Sequence, residues 1–341
     1  MRRRDVISGL LAAPAALAMP GLIRPAAAEA SAVRIGKQYG LPYVPMMVVE
    51  REKLIEKHAA KQGIPGLRVE WSTQGGPAAQ LDALLSGNIE FVGPGVPTLA
   101  TSWDKTIGTP QELRALCAMQ SMPYVLVTRN PNVRTIADFT EQDRIALPAV
   151  KLTGHAIALE IAAAKLWGFE KYDKLDPLTV SLPHPDAMAA MLSGKSEITS
   201  HFASAPYYYR ELATPGIRQV LKSYDAVGGR HTNGVLLTSK RFHDANPKIA
   251  AVVLAAFDEA NQMIKADPAR AAETYIAVSN EKTTPADELA KMIADPDVEY
   301  TTTPVNVMAF VEFMQKVGRI KKKPASWKDL FFAEAHELRG S

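Results

Sequence analysis

The sequence predicts an α/β protein of two doubly wound lobes joined by two hinge crossings, and three observations carry that prediction. Leu84-Leu85-Ser86-Gly87-Asn88-Ile89-Glu90-Phe91 and Met191-Leu192-Ser193-Gly194-Lys195-Ser196-Glu197-Ile198 read as copies. Each closes an Ala/Leu/Met-rich helix, stops it at a Gly suited to the left-handed position, and leads into a short strand beginning with Glu. Helical and extended patterns alternate over much of the chain, as in sheets covered by helices. Two stretches, at Gln120-Ser121-Met122-Pro123 and from Ser223 to Gly229, suit passages between lobes. The "LSG-x-x-E" pattern is also a common way to leave a helix for a strand, so the repeat does not stand alone.

The chain has 341 residues and is 47% hydrophobic, which suggests about two domains with substantial cores. The expected division is residues 33–121 and 224–335 in lobe 1, with the C-terminal helices, and residues 122–223 in lobe 2. Cys117 is the single cysteine, which excludes an internal disulfide, and its apolar surroundings mark it as a small core residue.

Residues 1–28 read as an export signal. Arg2-Arg3-Arg4 precedes an apolar stretch broken by Pro14 and Pro20, and Ala26-Ala27-Ala28 offers the small residues of a cleavage site. The Arg3-Arg4 pair resembles the twin-arginine type. The prolines and the early cleavage site argue against a membrane anchor. This segment carries the whole formal charge of +3, so the mature chain is near neutral. The basic balance is therefore no argument for nucleic-acid or anionic-membrane binding.

In chain order, Val33–Gly36 is a first strand that leads into Tyr39-Gly40-Leu41-Pro42-Tyr43. A helix follows to about Lys61, with Met47/Val48 and Leu54/Ile55 on one face. Leu67–Trp71 alternates as a strand does. The turn through Gln74-Gly75-Gly76 enters a helix at Pro77, where the missing N–H costs nothing. The first repeat copy runs into Gly93-Pro94-Gly95, and another helix starts near Thr98. Leu113–Met119 and Tyr124–Val127 are strands on either side of the first crossing. A short helix at Thr135–Phe139, a strand at Ile145–Leu147, a long helix from Gly154 to Trp167 and a strand at Leu178–Leu182 follow. The second repeat copy opens into a loop expected at Ser200-His201-Phe202-Ala203-Ser204-Ala205-Pro206. Tyr207–Ala213 is expected as helix and Ile217–Leu221 as strand. The last third is mostly helical, with starts expected at Asn246-Pro247, Asp267-Pro268, Thr284-Pro285 and Thr303-Pro304, and a capping box between Thr284 and Asp287.

Enzyme motifs are largely missing. There is no dinucleotide fingerprint, phosphate loop, Gly-x-Ser-x-Gly elbow or His-Glu-x-x-His. The seven histidines lack metal-ligand spacing; His155 and His201 could meet in space, but no third ligand is signalled. No catalytic residue, metal site or cofactor is therefore assigned. The feature that suggests binding is Thr153-Gly154-His155 ahead of the long helix. Thr153 suits the N-cap, Gly154 permits close backbone approach, and the free N–H groups of the helix start favour an anion. Thr153 could equally do no more than cap its helix. The expected cleft loops carry Lys151, His155, His201, Arg230 and His231 but few carboxylates, which again favours an anionic ligand. Tyr39, Tyr43 and Phe202 offer aromatic contact. Gly95, Gln120 at the first crossing and Asn233 after the second complete the candidate ligand set.

These features carry a resemblance. The exported start, Val33-Arg34-Ile35-Gly36, the segment Leu81–Gly95, the Gly-His helix start after Lys151, and Phe313–Gly318 through Pro324–Leu330 resemble the nitrate/sulfonate/taurine-type solute-binding proteins of ABC importers. The resemblance covers nearly all of the mature chain through diffuse motifs. It implies a periplasmic-binding-protein-like fold of type II, closure on a small molecule, and delivery to an inner-membrane permease and its ATPase by a periplasmic monomer. Family members often hold their ligand through positions matching Tyr39-Gly40-Leu41-Pro42, Gln74-Gly75-Gly76 and Thr153-Gly154-His155. Many relatives place Asp and then Ala after the second-lobe strand, where this chain has Thr199-Ser200-His201-Phe202. That departure argues against taurine or an alkanesulfonate and makes a small carboxylate at least as good an expectation. Two alternatives stay open. One is an enzyme resembling the pyrimidine-precursor synthases of thiamine biosynthesis, which use pyridoxal phosphate and clustered cysteines. The other is a sensory ligand-binding subunit.

Overall fold

The computed structural model describes residues 29–341; the expected export signal lies outside the described residues. The first sheet is built from β1 (Ala32–Lys37), β2 (Arg68–Thr73), β3 (Phe91–Val92), β4 (Leu113–Ser121), β10 (Thr232–Ser239) and β11 (Glu299–Tyr300). The second contains β5 (Val125–Thr128), β6 (Ile145–Leu147), β7 (Thr179–Ser181), β8 (Ser200–Ala203) and β9 (Arg218–Lys222). Their orders are β11-β4-β10-β3-β1-β2 and β7-β6-β8-β5-β9. In each sheet three strands are parallel, β2-β1-β3 and β7-β6-β8, and an antiparallel strand follows, β10 or β5. The two repeat copies lead into β3 and β8, which hold equivalent places. The α/β fold with two lobes and two crossings is the one the sequence predicts.

Side chains on successive strand positions point to opposite faces, so a strand covered on both sides must be apolar throughout. Leu126 packs into one core while Val125 and Val127 pack into the other; Ala146 is likewise opposed to Ile145 and Leu147. Cys117 is fully buried in this packing, as expected. Helices account for the coverage. The helix Pro247–Ala266 buries the predicted face from Ile249 to Ile264 against the first core. The helix Gly154–Trp167 buries Ile157 and Leu159 in the second.

Several local expectations are corrected. β10 was not expected, because Val235-Leu236-Leu237 lies next to a long helical region; it sits in the middle of the first sheet, between β3 and β4. The helix expected to run to Lys61 breaks at Lys53, whose φ of 52° is left-handed. The starts at Asn246-Pro247 and Asp267-Pro268 both form; Asp267 accepts from Arg270 N, while Asn246 turns its Oδ1 to Ala30 N instead of capping its helix. Thr284 makes no capping box, and no helix starts at Thr303-Pro304; the next begins at Val307. The strand after the second repeat copy begins at Ser200 rather than Glu197, so the expected loop from Ser200 to Ala203 is β8 itself.

The chain passes between the sheets at Met122–Tyr124 and again from Ser223 to His231. The second passage contains a short helix, Ser223–Val227, and turns at Gly228 and Gly229, both at positive φ. The passages are bonded to each other. Ser223 N donates to Tyr124 O and Tyr124 N to Ser223 Oγ, each at 2.9 Å. Ser121 Oγ donates to His231 O at 2.8 Å, and Ser223 Oγ lies 2.8 Å from His231 Nε2. Ser223 is fully buried. Ser223→Ala leaves the Tyr124 N–H and the His231 nitrogen without partners, and it is expected to lower stability by about 1–3 kcal/mol. A fall in the urea midpoint at unchanged slope is the measurement.

Candidate functional site

The carboxyl ends of β1, β3 and β8 and the start of the Gly154–Trp167 helix converge between the sheets, the region where open α/β folds bind ligands. They enclose a cavity of about 60 Å³. That is the space of on the order of four water molecules. The first sheet and its loops contribute Gln38, Tyr39, Pro42, Tyr43, Gly95 and Gln120; the second contributes Thr153, Gly154, His155, His184 and Ser204. Tyr124 stands between the two.

The sequence candidates separate clearly. Tyr39, Pro42, Gly95, Gln120, Thr153, Gly154, His155 and Asn233 line the cavity. Gly40 and Leu41 do not. Leu41 is fully buried, its N–H donates to Ala205 O at 2.9 Å, and a Cβ on Gly40 would lie 2.8 Å from that same oxygen. These two residues join the lobes. Gln74, Gly75 and Gly76 stay at the rim, because Gln74 N–H continues the β1–β2 ladder by donating to Lys37 O, and its amide bonds Ser72 Oγ. Pro77 is what this turn delivers to the cavity. His201 and Phe202, expected on a cleft loop, are fully buried in β8 and point to opposite faces. Phe202 packs its ring 5.7 Å from His155 and 6.3 Å from Tyr124, beneath the cavity wall.

Thr153 Oγ1 accepts from Ala156 N, so the expected cap forms. The N–H groups of Gly154 and His155, ahead of that bond, are the free ones of the helix start. Gly154 is pressed on Tyr124: a Cβ there would lie 2.3 Å from the phenol oxygen and 2.6 Å from ring atoms. Tyr124 OH in turn donates to Asn233 O at 3.3 Å, and its ring lies 3.9 Å from that of His155. Gln120, at the end of β4, is fully buried and neither its Oε1 nor its Nε2 has a partner among the described residues. Its amide fits because β10 bulges at Gly234, where a Cβ would come within 2.9 Å of Nε2. His155 Nε2 bonds Ser204 Oγ at 3.0 Å, while Nδ1 is buried without a partner.

The expected cationic bias is corrected. Among the described residues, no Lys, Arg, Asp or Glu lines the cavity. Lys151 Nζ reaches out to Asp176 at 3.7 Å, and Arg230 turns to Glu299 and the Pro296 carbonyl. His231 is buried against Ser223. Burial holds His155 and His184 well below the usual histidine range and lowers His201 to about 3 and His231 to about 4. The cavity therefore offers dipoles and neutral rings. His155 and His201 do not meet as ligands, and no group of three metal-ligating side chains is found among the described residues. Sequence reading missed Gln38, Pro77, Tyr124, Pro148, His184 and Ser204. Pro183-His184-Pro185 at a helix start was the one local signal for His184.

Two α/β lobes with a polar cavity between them make up the fold of periplasmic binding proteins. Residues 26–279 match the NMT1-like family, and the chain belongs to it. No curated protein matches the chain. Among solved structures, it is similar to the alkanesulfonate-binding protein SsuA of Xanthomonas axonopodis pv. citri bound to MOPS, with a TM-score of 0.67, 18% identity, and 89% of this chain and 99% of that one covered. The aliphatic sulphonate-binding protein SsuA of Escherichia coli gives 0.65 and 19%, over 89% of this chain and 92% of that one. The periplasmic nitrate-binding protein NrtA of Synechocystis PCC 6803 gives 0.66 and 16%, over 91% and 86%. The family resemblance read from the sequence agrees with these neighbours. Among the described residues no helix is long and apolar enough to cross a membrane.

Two outcomes follow from this site. Gly154→Ala forces Tyr124 aside, and it is expected to cost about 1–3 kcal/mol of stability and to remove solute binding, read by denaturation and calorimetry. The second concerns acid. The four buried histidines stay neutral in the folded chain but take up protons near 6.5 when unfolded. Glu211 and Glu160, pushed up by burial to about 9 and about 8, oppose this by holding two protons in the folded chain only. Two net protons then favour unfolding, so stability falls below pH 6.5 by up to about 3 kcal/mol per pH unit. Melting curves taken from neutral pH downward check this.

Proposed function

We propose that the protein is the exported solute-binding component of an ABC importer. It captures a small anionic organic solute, such as a carboxylate or sulfonate, and passes it to an inner-membrane permease and its ATPase. It works in the periplasm as a monomer, without cofactor or catalysis. The observation that carries this reading is the fully buried Gln120 amide, facing the interlobe cavity with both polar atoms unpartnered. Such a group keeps both its donor and its acceptor for a polar solute that enters the cavity. Family membership and neighbours named for sulfonate and nitrate binding support the same reading.

An anion can be held here without a counter-charge. The free N–H groups at Gly154 and His155 form the positive end of a helix, and Gln120 Nε2 adds a neutral donor. Among the described residues no carboxylate lines the cavity to repel the solute. The solute touches both lobes only when they are closed, so its preference for that state shifts the population by hinge closure.

A thermal-shift screen against nitrate, alkanesulfonates and small carboxylates identifies the solute. At a hundred times its dissociation constant a true ligand stabilises by about 2.7 kcal/mol. Gln120→Met is expected to leave the unliganded protein as stable as before or more so, while lowering affinity at least about tenfold. Wild-type affinity in that variant overturns the reading of the cavity.

A further inference from the structure

Behind the cavity wall lies a chain of three titratable side chains that the solute reading does not use. Glu211 sits on the helix Tyr207–Leu212, His201 on β8, and His184 at the start of the helix His184–Ser193. Glu211 Oε1 is 2.6 Å from His201 Nδ1, and His201 Nε2 is 2.8 Å from His184 Nδ1. Glu211 and His201 are fully buried; His184 keeps 8% of its surface and lines the cavity. Its Nδ1 is spent on His201, and its Nε2 has no protein partner among the described residues.

Proton counting gives this chain a consequence. Each short contact needs one proton, because two lone pairs cannot face each other at such distances. Two protons fill the two contacts and leave His184 Nε2 bare, with one negative charge on the chain. A third proton can go to Glu211 Oε2 or to His184 Nε2; Oε2 is buried with no acceptor within reach, while His184 Nε2 opens on the cavity, so the proton belongs on Nε2 and the chain is then neutral overall. This holds whether the first proton sits nearer Glu211 or His201.

We propose that His184 contacts the solute through Nε2, and that Glu211 and His201 are positioning residues that keep a proton on that nitrogen, so that it donates and selects an acceptor such as a sulfonate, nitrate or carboxylate. The inference deepens the solute reading above and rests on it. The surroundings favour the three-proton state. Glu211 Oε2 has no partner, so nothing compensates a negative charge left there. Arg210, the neighbouring cation, lies 3.5 Å from Glu281 and is already paired. The other titratable groups facing the chain are neutral: His155 at 5.1 Å from His184, Tyr207 stacked on it at 5.3 Å, and His231 beyond His155. The strands flanking β8, β5 and β6, bring no titratable side chain. Burial accordingly pushes the Glu211 carboxyl up to about 9.

The test begins on the unliganded full chain. Imidazole nitrogen NMR of labelled protein, with His184 assigned by its loss in His184→Gln, reads which nitrogen carries the proton. At neutral pH His184 is expected as the Nε2–H tautomer, converting to Nδ1–H as pH rises past about 9. Glu211→Gln, which cannot ionise, is expected to keep Nε2–H throughout. A bare Nε2 at neutral pH, a wild-type tautomer indifferent to pH, or the same conversion in Glu211→Gln overturns the proposal. Calorimetry with nitrate and ethanesulfonate adds the functional arm. Wild-type affinity should fall about tenfold per pH unit above the conversion, and that fall should vanish in Glu211→Gln. If neither these anions nor any compound of the screen binds while the tautomer signature holds, the solute reading fails and the proton chain stands.

Discussion

The hydrogen bonds between the two crossings are what the rest of the structure depends on. Ser223 takes the Tyr124 N–H on its side chain and gives its own N–H to the Tyr124 carbonyl, while Ser121 ties the first passage to His231. Buried backbone groups outside a sheet must find partners, and here each passage satisfies the other. The fixed passages set where Tyr124 stands, and Tyr124 sets how close the Gly154 helix approaches and where His155 stacks. The cavity is thus a by-product of how the chain crosses, lined by groups that the crossings hold in place.

The chemistry of the cavity follows from exclusion of charge. Long basic side chains that the sequence puts near the cleft are drawn outward by carboxylates on other elements, Lys151 by Asp176 and Arg230 by Glu299. What stays inside is short, planar or backbone: an amide, imidazoles, phenols and a helix start. Such groups bind through direction more than through charge. The desolvation cost of burying them is far smaller than that of burying an ammonium or guanidinium.

Much of this was legible in the sequence. The repeat marked two strands that hold equivalent places, and the Thr153-Gly154 start of the long helix stands as read. The errors have physical causes. His201 and Phe202 lie in a strand and not in the expected loop because β8 begins three residues after Glu197. β10 was overlooked because its short apolar run borders a long helical region. Gln74, which the family resemblance puts at the ligand, stays at the rim because β2 continues to Thr73 and carries the turn outward. His184 had only a weak local signal, since its partner lies on a different element. Pairings of that kind are made by the fold, and no spacing along the chain announces them.

The place of β10 also bears on how the protein is assembled. The second sheet is complete once residue 222 has been made, because all its strands lie in one continuous stretch. The first has its opening strands early, yet its centre waits for residues 232–239, which must wedge between β3 and β4. The half begun first at the ribosome is therefore finished last, and until then β3 and β4 present open edges that a nascent chain must keep from other partners.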